Sequence, residues 1–451
     1  MKLKPLGYVL SAVLLAFPGL SAFAQDGGKD AQVECTSSPT EIMTLNEPVF
    51  ETLSVWDTLY ATKDGMDVFS DALPVSGGAV VAAGSFTADK KDALYHPLLV
   101  KFDEHRKVVW EVREKTAAQQ TIHRILQAKD GFVVLGDIAD SAKGSGIYTR
   151  RYSAEGKAAE VRPLFEDGYD LDAKAIVEAQ DATGYLVAVQ AVSKKDGYTQ
   201  KGMLFKINQN GGLTWKRAFT SGRSTVINNV QATLDRGYVL TGQIVVDEKR
   251  SGGWVIVLDG NGAIKWQRNY PRGTAASFQA AAQTADGSFI LSGKARPSGA
   301  RGKQLAAWVM RTDSGGAPQW QRYFRGDYSY EAPDLIVYHD GRSSVLLNGR
   351  GMDGAHRSHA RLVTLSPLGA VQKIENFTDG HNATAAKLVS GTEAERIIAG
   401  YAQSGFGENQ ADNLPESAPS YTYDGWLIAG VPLDLYEDPC DNPPEMSPIL
   451  P

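Results

Sequence analysis

A glycine-containing strand recurs seven times along this chain at a nearly constant interval, and this repeat constrains the fold more than any other feature. The copies are Gly77–Gly84, Gly131–Gly136, Gly184–Gln190, Gly237–Gly242, Gly287–Gly293, Gly341–Gly349 and Ala394–Gly400. Their last residues are 52, 54, 52, 51, 56 and 51 positions apart. A fixed period of this length, with no helical pattern inside it, is typical of a β-propeller with one blade per repeat. The sequence therefore predicts an all-β fold, a seven-bladed β-propeller.

One complete unit, Ser224–Tyr270, shows how a blade is built. An alternating first strand is followed by a second strand, RGYVLTGQIVV, and by a nearly continuous apolar third strand, GWVIVLD. The turn Gly260–Gly262 contains residues that tolerate positive φ, and the fourth strand carries Trp266. Four antiparallel strands joined by short turns make one blade. The second and sixth units lack the fourth-strand tryptophan, so those two blades are predicted to be less typical.

The seventh unit ends after its third strand, Asp424–Val431, so its fourth strand has to come from elsewhere. An unassigned strand, Leu53–Ala61, precedes the first blade, and its Trp56 matches the fourth-strand tryptophans of the other blades. We predict that this N-terminal strand supplies the outer strand of blade seven. The pairing would close the ring and remove an exposed sheet edge. The propeller is expected to span residues 50–431.

The two ends of the chain fall outside this repeat. Residues 1–24 combine a basic start, an apolar stretch and small residues before a cleavage point, which indicates a signal peptide. Residues 25–49 form an extension that contains Cys35, and residues 432–451 form an acidic, proline-rich tail that contains Cys440. Two cysteines in an exported chain predict one disulfide, Cys35–Cys440, with two free thiols as the alternative. We expect a periplasmic or secreted protein.

The charge of the chain limits its partners. The formal net charge is −6 and no basic stripe is present, which argues against binding to nucleic acid. No segment after the signal peptide is apolar for long enough to cross a bilayer, so a membrane-spanning protein is not expected.

The pattern of an Asp-rich turn, Gly237–Gly242, a loop and then WVIVLDGNGAIKW resembles the repeat of a broad class of secreted bacterial and archaeal β-propellers. It is similar, less closely, to the blades of quinoprotein-like propellers and of the outer-membrane assembly lipoprotein that shares their fold. The resemblance covers residues of about 50–431 and implies a propeller fold. The chain has seven repeats where quinoproteins have eight, and it lacks their adjacent cysteine pair. No cofactor is therefore expected.

Three local patterns suggest cation binding, and each has a plainer interpretation. Turns such as Asp259–Gly262 have too few acidic residues for a calcium loop and are interpreted as hairpin turns. His356 and His359 could hold a metal, but no third ligand is evident, and a solvated loop is the alternative. The acidic run Glu166–Asp172 lies where one blade connects to the next and could hold a cation or a cationic partner, or could simply be solvated. No metal site is predicted.

The loops at one rim of the ring carry many arginine and tyrosine side chains, the residue types that anchor protein interfaces. The predicted partner-binding residues are Arg223, Arg325, Asp327, Tyr328, His381 and Tyr421. No catalytic motif is recognised. The function expected from the sequence is a non-catalytic binding or scaffolding module for a protein or glycan in the cell envelope. The alternative is a polysaccharide-active propeller enzyme, a lyase or hydrolase, whose paired carboxylates would come from different blades.

Overall fold

The structure is a computed structural model of the chain. It describes residues 38–48, 56–61, 65–89, 94–197, 199–272, 275–296, 304–351, 358–377, 382–391, 395–404 and 422–432. Cys35, Cys440, His381, Tyr421 and His356 lie outside these ranges. The Cys35–Cys440 disulfide therefore stays a prediction. Among the described residues, none forms a helix of the length and apolar character that crossing a bilayer takes.

Twenty-nine strands account for the described fold. Two precede the blades: β1 (Thr40–Thr44) and β2 (Trp56–Tyr60). Blades one to four contain β3 (Asp67–Val75), β4 (Ala79–Phe86), β5 (His96–Phe102), β6 (Val108–Arg113), β7 (Arg124–Ala128), β8 (Gly131–Asp140), β9 (Gly144–Ser153), β10 (Arg162–Leu164), β11 (Tyr169–Glu178), β12 (Gly184–Ser193), β13 (Gln200–Asn208), β14 (Leu213–Phe219), β15 (Ser224–Ala232), β16 (Tyr238–Asp247), β17 (Arg250–Leu258) and β18 (Ile264–Pro271). Blades five to seven contain β19 (Ser277–Gln283), β20 (Phe289–Ala295), β21 (Ala306–Thr312), β22 (Pro318–Arg325), β23 (Ser329–Val337), β24 (Ser343–Arg350), β25 (His359–Leu365), β26 (Val371–Phe377), β27 (Ala383–Ser390), β28 (Glu395–Ser404) and β29 (Thr422–Pro432).

These strands form seven sheets, antiparallel throughout except where β1 joins β22, which confirms the predicted seven-bladed propeller. The predicted ring closure is also confirmed, because β2 is the fourth strand of the sheet that contains β27, β28 and β29. The pairing of β2 with β29 runs from Trp56 opposite Ala429 to Tyr60 opposite Gly425. The atypical second blade has a fourth strand of only three residues, β10.

Strand β1 was not predicted, and it extends blade five rather than blade seven. It pairs in parallel with β22, from Thr40 opposite Gln321 to Thr44 opposite Arg325. Arg322, on β22, is fully buried and donates to the carbonyl oxygens of Ser38 and Gly369 at 3.0 and 2.7 Å. The N-terminal extension therefore contributes a fifth strand to one blade.

The hydrophobic core is divided into layers that lie between neighbouring blades. Each of seven buried clusters draws its side chains from two adjacent sheets, such as blades five and six, or blades seven and one. Trp308 and Trp426 are the largest fully buried side chains. Because each blade buries both of its faces against neighbours, most residues in the middle of the third strands are buried.

The structure explains why the second strands contain a glycine. In blades one, four, five and seven, this glycine faces the residue just before a β-bulge in the inner strand. In blade four the bulge brings the carbonyl oxygen of Val226 to 1.9 Å from the point that a Cβ of Gly242 would occupy. Any side chain at this position would collide with backbone, so the repeat glycine serves close strand packing rather than a turn.

We expect Gly242→Ala to lower the free energy of unfolding by about 1–3 kcal/mol, because the inner strand must move to admit the methyl group. Gly315→Ala is the matched control. Its Cβ would meet no atom closer than Asp313 Oδ1 at 3.5 Å, so a change within about 0.5 kcal/mol is expected. Denaturant unfolding followed by circular dichroism measures both. Equal stability of the two variants would contradict this account of the glycine.

The fourth-strand tryptophans latch each blade to the next one. In four blades the indole lies on a turn glycine with φ near 80° in the following blade: Trp110 on Gly156, Trp215 on Gly262, Trp266 on Gly316 and Trp320 on Gly369. Three of the indole N–H groups also donate to a carbonyl oxygen of that turn, at 3.0–3.2 Å. The sequence repeat of glycine and tryptophan is thus an interlock between blades.

Candidate cation-binding site

A group of acidic side chains and one histidine meets between blades two and three. These residues are His123, Asp137, Asp170 and Asp172, and we call them the cation cleft. They lie on the connection face, the side of the ring where each fourth strand leads to the inner strand of the next blade. Asp137, Asp170 and Asp172 line a cavity of about 220 Å³, together with Gln119, Ile138, Ala139, Ser145, Leu171 and Val192.

The blade topology explains why these residues meet. Asp137 directly follows the repeat glycine Gly136 on β8, and His123 immediately precedes β7, the partner strand of β8. Asp170 and Asp172 are two residues apart at the start of β11, so alternation places both on one side of that strand. The ends of β8 and the beginnings of β7 and β11 all lie on the connection face. Residues 14 to 49 positions apart are therefore brought together.

Hydrogen bonds fix the orientation of Asp137. One carboxylate oxygen lies 2.7 Å from Nε2 of His123. The other accepts the backbone N–H of Ala173 on blade three at 2.7 Å. Asp137 therefore joins two blades and also holds the imidazole ring. His123 and Asp137 are both partly exposed, at 32% and 27%, so the pair can be reached from the cavity.

Ammonium groups of the chain already contact the other two carboxylates. Lys174 Nζ forms an ion pair with Asp172 Oδ2, and Lys194 Nζ lies 3.7 Å from Asp170 Oδ1. Asp170 Oδ1 also accepts the backbone N–H of Ser145 at 2.8 Å. Asp170 and Asp172 are each 44% exposed. Such solvent-exposed pairs contribute about 0–1 kcal/mol, so either lysine can be displaced at little cost.

The same cluster offers ligand atoms for a metal ion. One atom each of His123, Asp137 and Asp172 lies within 4.8 Å of the other two. A nitrogen and two carboxylate oxygens suit divalent cations such as zinc or manganese. The ammonium group of Lys174 on Asp172 competes with such an ion. The carboxylates of the cation cleft thus favour the binding of a positively charged group.

Only part of this site was predicted from the sequence. The acidic run Glu166–Asp172 does contribute Asp170 and Asp172, but Glu166 turns away and pairs with Lys216 at 2.6 Å. His123 and Asp137 were missed because no short motif joins them. The sequence does contain a signal for Asp137. The residue after the repeat strand is acidic in the second unit, whereas the other units have Ser85, Ala191, Gln243, Lys294, Arg350 and Tyr401 at this position.

The structure describes four of the six predicted partner-binding residues, Arg223, Arg325, Asp327 and Tyr328. Arg223 is half-exposed and lies 3.6 Å from Glu248 beside blade four. Arg325 and Asp327 are exposed at the connection from blade five to blade six. Tyr328 is buried instead: it is 5% exposed, packs on His359 with a ring-centroid distance of 4.5 Å, and its hydroxyl lies 3.1 Å from Glu47 Oε2.

The burial of Tyr328 corrects the expectation that it is a loop residue without a role in the fold. It belongs to the apolar layer between blades five and six, where the N-terminal extension covers it. His381 and Tyr421 lie outside the described residues. Partner binding by Arg223, Arg325 and Asp327 stays a prediction.

No protein-family model matches the sequence, and a comparison with curated proteins finds no match. Solved structures do show similarity. A puromycin hydrolase is 14% identical with a TM-score of 0.49, covering 76% of this chain and 51% of its own. A puromycin-hydrolyzing peptidase of Mycobacterium tuberculosis is 12% identical with a TM-score of 0.46, covering 77% and 49%. The β-propeller domain of the Trilobed protease from Pyrococcus furiosus is 10% identical with a TM-score of 0.38, covering 62% and 78%.

This chain thus spans about half the length of the two puromycin-hydrolysing proteins. The comparison contradicts the predicted function, a non-catalytic binding or scaffolding module with a polysaccharide-active enzyme as its alternative, because the similar propellers belong to peptidases. Of the resemblance found in the sequence, the seven-bladed architecture is confirmed, and membership of a secreted bacterial class stays a prediction.

Proposed function

We propose that the cation cleft binds the ammonium group of a peptide substrate, and that this propeller is the substrate-recognition part of a peptide-hydrolysing enzyme. One observation carries the proposal: Asp170 and Asp172 already pair with lysine ammonium groups at the edge of an open cavity. Every unmodified peptide carries such a group at its amino terminus. Peptides are therefore the substrate class that this chemistry favours.

The exchange of one ammonium group for another requires little reorganisation. An ammonium group has three N–H donors, and the cleft offers carboxylate oxygens from Asp137, Asp170 and Asp172. Lys174 is 28% exposed, so its side chain can swing into solvent when an incoming group takes its place on Asp172. The apolar side chains of Ile138, Leu171 and Val192 line the same cavity and would contact the first side chain of the peptide.

Export belongs to the same proposal. The signal-peptide pattern of residues 1–24 would direct the chain to the periplasm or the medium, where peptides are available as substrates.

The test is calorimetric titration of the mature protein with tetra-alanine amide and with its N-acetylated form. We expect the free amine to bind at least about tenfold more tightly, because acetylation removes a charge-assisted hydrogen bond worth about 1.5–3 kcal/mol. Asp172→Asn should weaken binding of the free amine by a similar factor. Asp172 is largely solvent-accessible, so this variant is expected to fold normally.

Asp247→Asn is the matched control. Asp247 also lies on the connection face and pairs with a basic side chain, Arg250, at 2.6 Å, but it is two blades away from Asp137. Binding should be unchanged in this variant. Equal affinity for the free and acetylated peptides would overturn the proposal. So would tight binding of Zn²⁺ or Mn²⁺ that Asp172→Asn abolishes, in a protein that does not bind the peptide.

A further inference from the structure

The interface between blades two and three lacks the tryptophan latch, and the position of the missing indole can be located from the repeat. In blades three, four and five the tryptophan follows the glycine of its own turn by four residues, as in Gly211–Trp215 and Gly262–Trp266. An arginine stands two residues later, at Arg217, Arg268 and Arg322. In blade two the corresponding residues are Gly156, Glu160 and Arg162. Glu160 therefore stands where the repeat places an indole.

The receiving side of this missing latch is intact. The turn of blade three that would carry the indole contains Gly211, with the same positive φ, 80°, as the glycines under the other tryptophans. Glu160 does not fill the space: its side chain is 74% exposed and pairs with Arg162 at 3.0 Å. The side chain of Arg162 lies on Gly211 instead, with its Cβ 2.7 Å from the point that a Cβ of this glycine would occupy. The stem of an arginine therefore covers this glycine, whose counterparts carry an indole at four other interfaces.

A cleft of about 120 Å³ remains at this interface. Its lining residues are Val133, Thr149, Arg150, Arg151, Ala159, Glu160, Arg162, Tyr185, Gln209, Asn210 and Gly211. A buried apolar cavity of about 150 Å³ is known to take up benzene, so the cleft has roughly the size of one aromatic ring. Val133 and Tyr185 give it an apolar wall.

The charges at the cleft favour a negative group on that ring. Three guanidinium groups line it, from Arg150, Arg151 and Arg162. Among the described lining residues, Glu160 alone carries a carboxylate. Arg150 forms an ion pair with Glu114 at 2.5 Å. Within the described part of the chain, the hydrogen bond of the Arg151 guanidinium goes to the carbonyl oxygen of Gln209, at 3.5 Å. Arginine stacks on aromatic faces and binds carboxylates through two parallel hydrogen bonds.

We propose that this cleft binds an aromatic ring that carries a carboxylate, as found in the C-terminal tryptophan or phenylalanine of a peptide chain. The ring lies in the cleft beside the Arg162 stem, against Val133 and Tyr185, and the carboxylate pairs with Arg151 and Arg162. This site lies at the turns between third and fourth strands, on the face opposite the cation cleft, and it does not depend on the proposed function of that cleft.

The probe is N-acetyl-L-tryptophan, titrated into the mature protein and compared with its neutral amide. We expect binding of the acid and at least about tenfold weaker binding of the amide, since loss of the charge removes the arginine contacts. Arg151→Gln should reduce the affinity for the acid to that of the amide. This variant changes a partly exposed side chain and leaves the apolar wall of Val133 and Tyr185 in place, so it tests the charge contribution.

Glu160→Trp tests the ring position directly. It restores the repeat, should fill the cleft with the chain's own indole, and is expected to raise the thermal midpoint by about 1–3 °C and to abolish binding of the probe. Trp215→Ala is the reciprocal variant: it opens the equivalent space over Gly262 and should lower the midpoint. Failure of the wild-type protein to bind the probe at millimolar concentration would overturn the proposal, as would unchanged binding in Glu160→Trp.

Discussion

A chain that begins at Thr62, and so lacks both β1 and β2, is expected to lose cooperative unfolding. Strand β2 is the outer strand of blade seven and comes from the opposite end of the chain, so it ties the last blade to the first. Its loss exposes the edge of β29, from Gly425 to Ala429, which includes the buried side chains of Trp426 and Leu427. An open apolar edge promotes association between chains. The apolar layer between blades one and seven and the Arg106–Glu395 ion pair would remain, but neither supplies the backbone hydrogen bonds of the lost strand.

Thermal and denaturant unfolding, together with size-exclusion chromatography, measures this effect. The matched control is a chain that begins at Val49, which lacks β1 and retains β2. Both truncated chains lack Cys35, so a difference between them cannot come from a disulfide. We expect the control to unfold cooperatively, with a midpoint lowered because Arg322 loses its contacts with the N-terminal extension. Equal behaviour of the two chains would show that β2 does not close the ring.

The closure could be predicted because two incomplete pieces of one repeat lie at the ends of the chain. The repeat itself was visible because the inner-strand bulges of four blades require a glycine opposite them, and each latch requires a tryptophan and a turn glycine at fixed spacing. These are steric requirements of a single blade or a single interface, so they recur locally in the sequence. Fold class, blade number and strand order follow from them.

The position of β1 could not be predicted in the same way. The side chains of Thr40 and Gln321 that meet in this pairing are 281 residues apart, and a five-residue strand carries no mark of its partner. The same reason applies to Tyr328. The residues next to Tyr328 in the sequence are typical of a polar loop. Its burial becomes evident only in the folded protein, where its hydroxyl group contacts Glu47 of the N-terminal extension.

The candidate site was predicted only where it is local in sequence. Asp170 and Asp172 are neighbours on one strand, so the acidic run was noticed, whereas the pairing of His123 with Asp137 depends on how β7 and β8 are aligned. The absence of a tryptophan in the second unit led to the prediction of an atypical blade. That Glu160 occupies the position of the indole became clear only from the contacts that the other tryptophans make.

Replacement of Glu375 by Leu is expected to cost about 3–5 kcal/mol of stability, because it leaves the guanidinium of Arg396 buried without its carboxylate partner. The two side chains are 7% and 1% exposed, and Arg396 Nη2 lies 2.9 Å from Glu375 Oε2. Glu375 is on β26 and Arg396 on β28, so the pair joins blades six and seven. Both charges are removed from water at the interface between blades six and seven.

The structure predicts an asymmetry between the two halves of this pair. Arg396→Met should cost less than Glu375→Leu, because Glu375 keeps a second cation, Lys373, at 3.1 Å. The double variant should recover most of the loss, since two apolar side chains of similar volume replace a buried ion pair at little net cost. Denaturant unfolding of the four proteins gives the coupling energy as a double-mutant cycle.

Asp247→Asn, which breaks an exposed pair, should change stability by less than about 1 kcal/mol and serves as the control. If Glu375→Leu were no more costly than this control, the pair would contribute nothing to holding blades six and seven together.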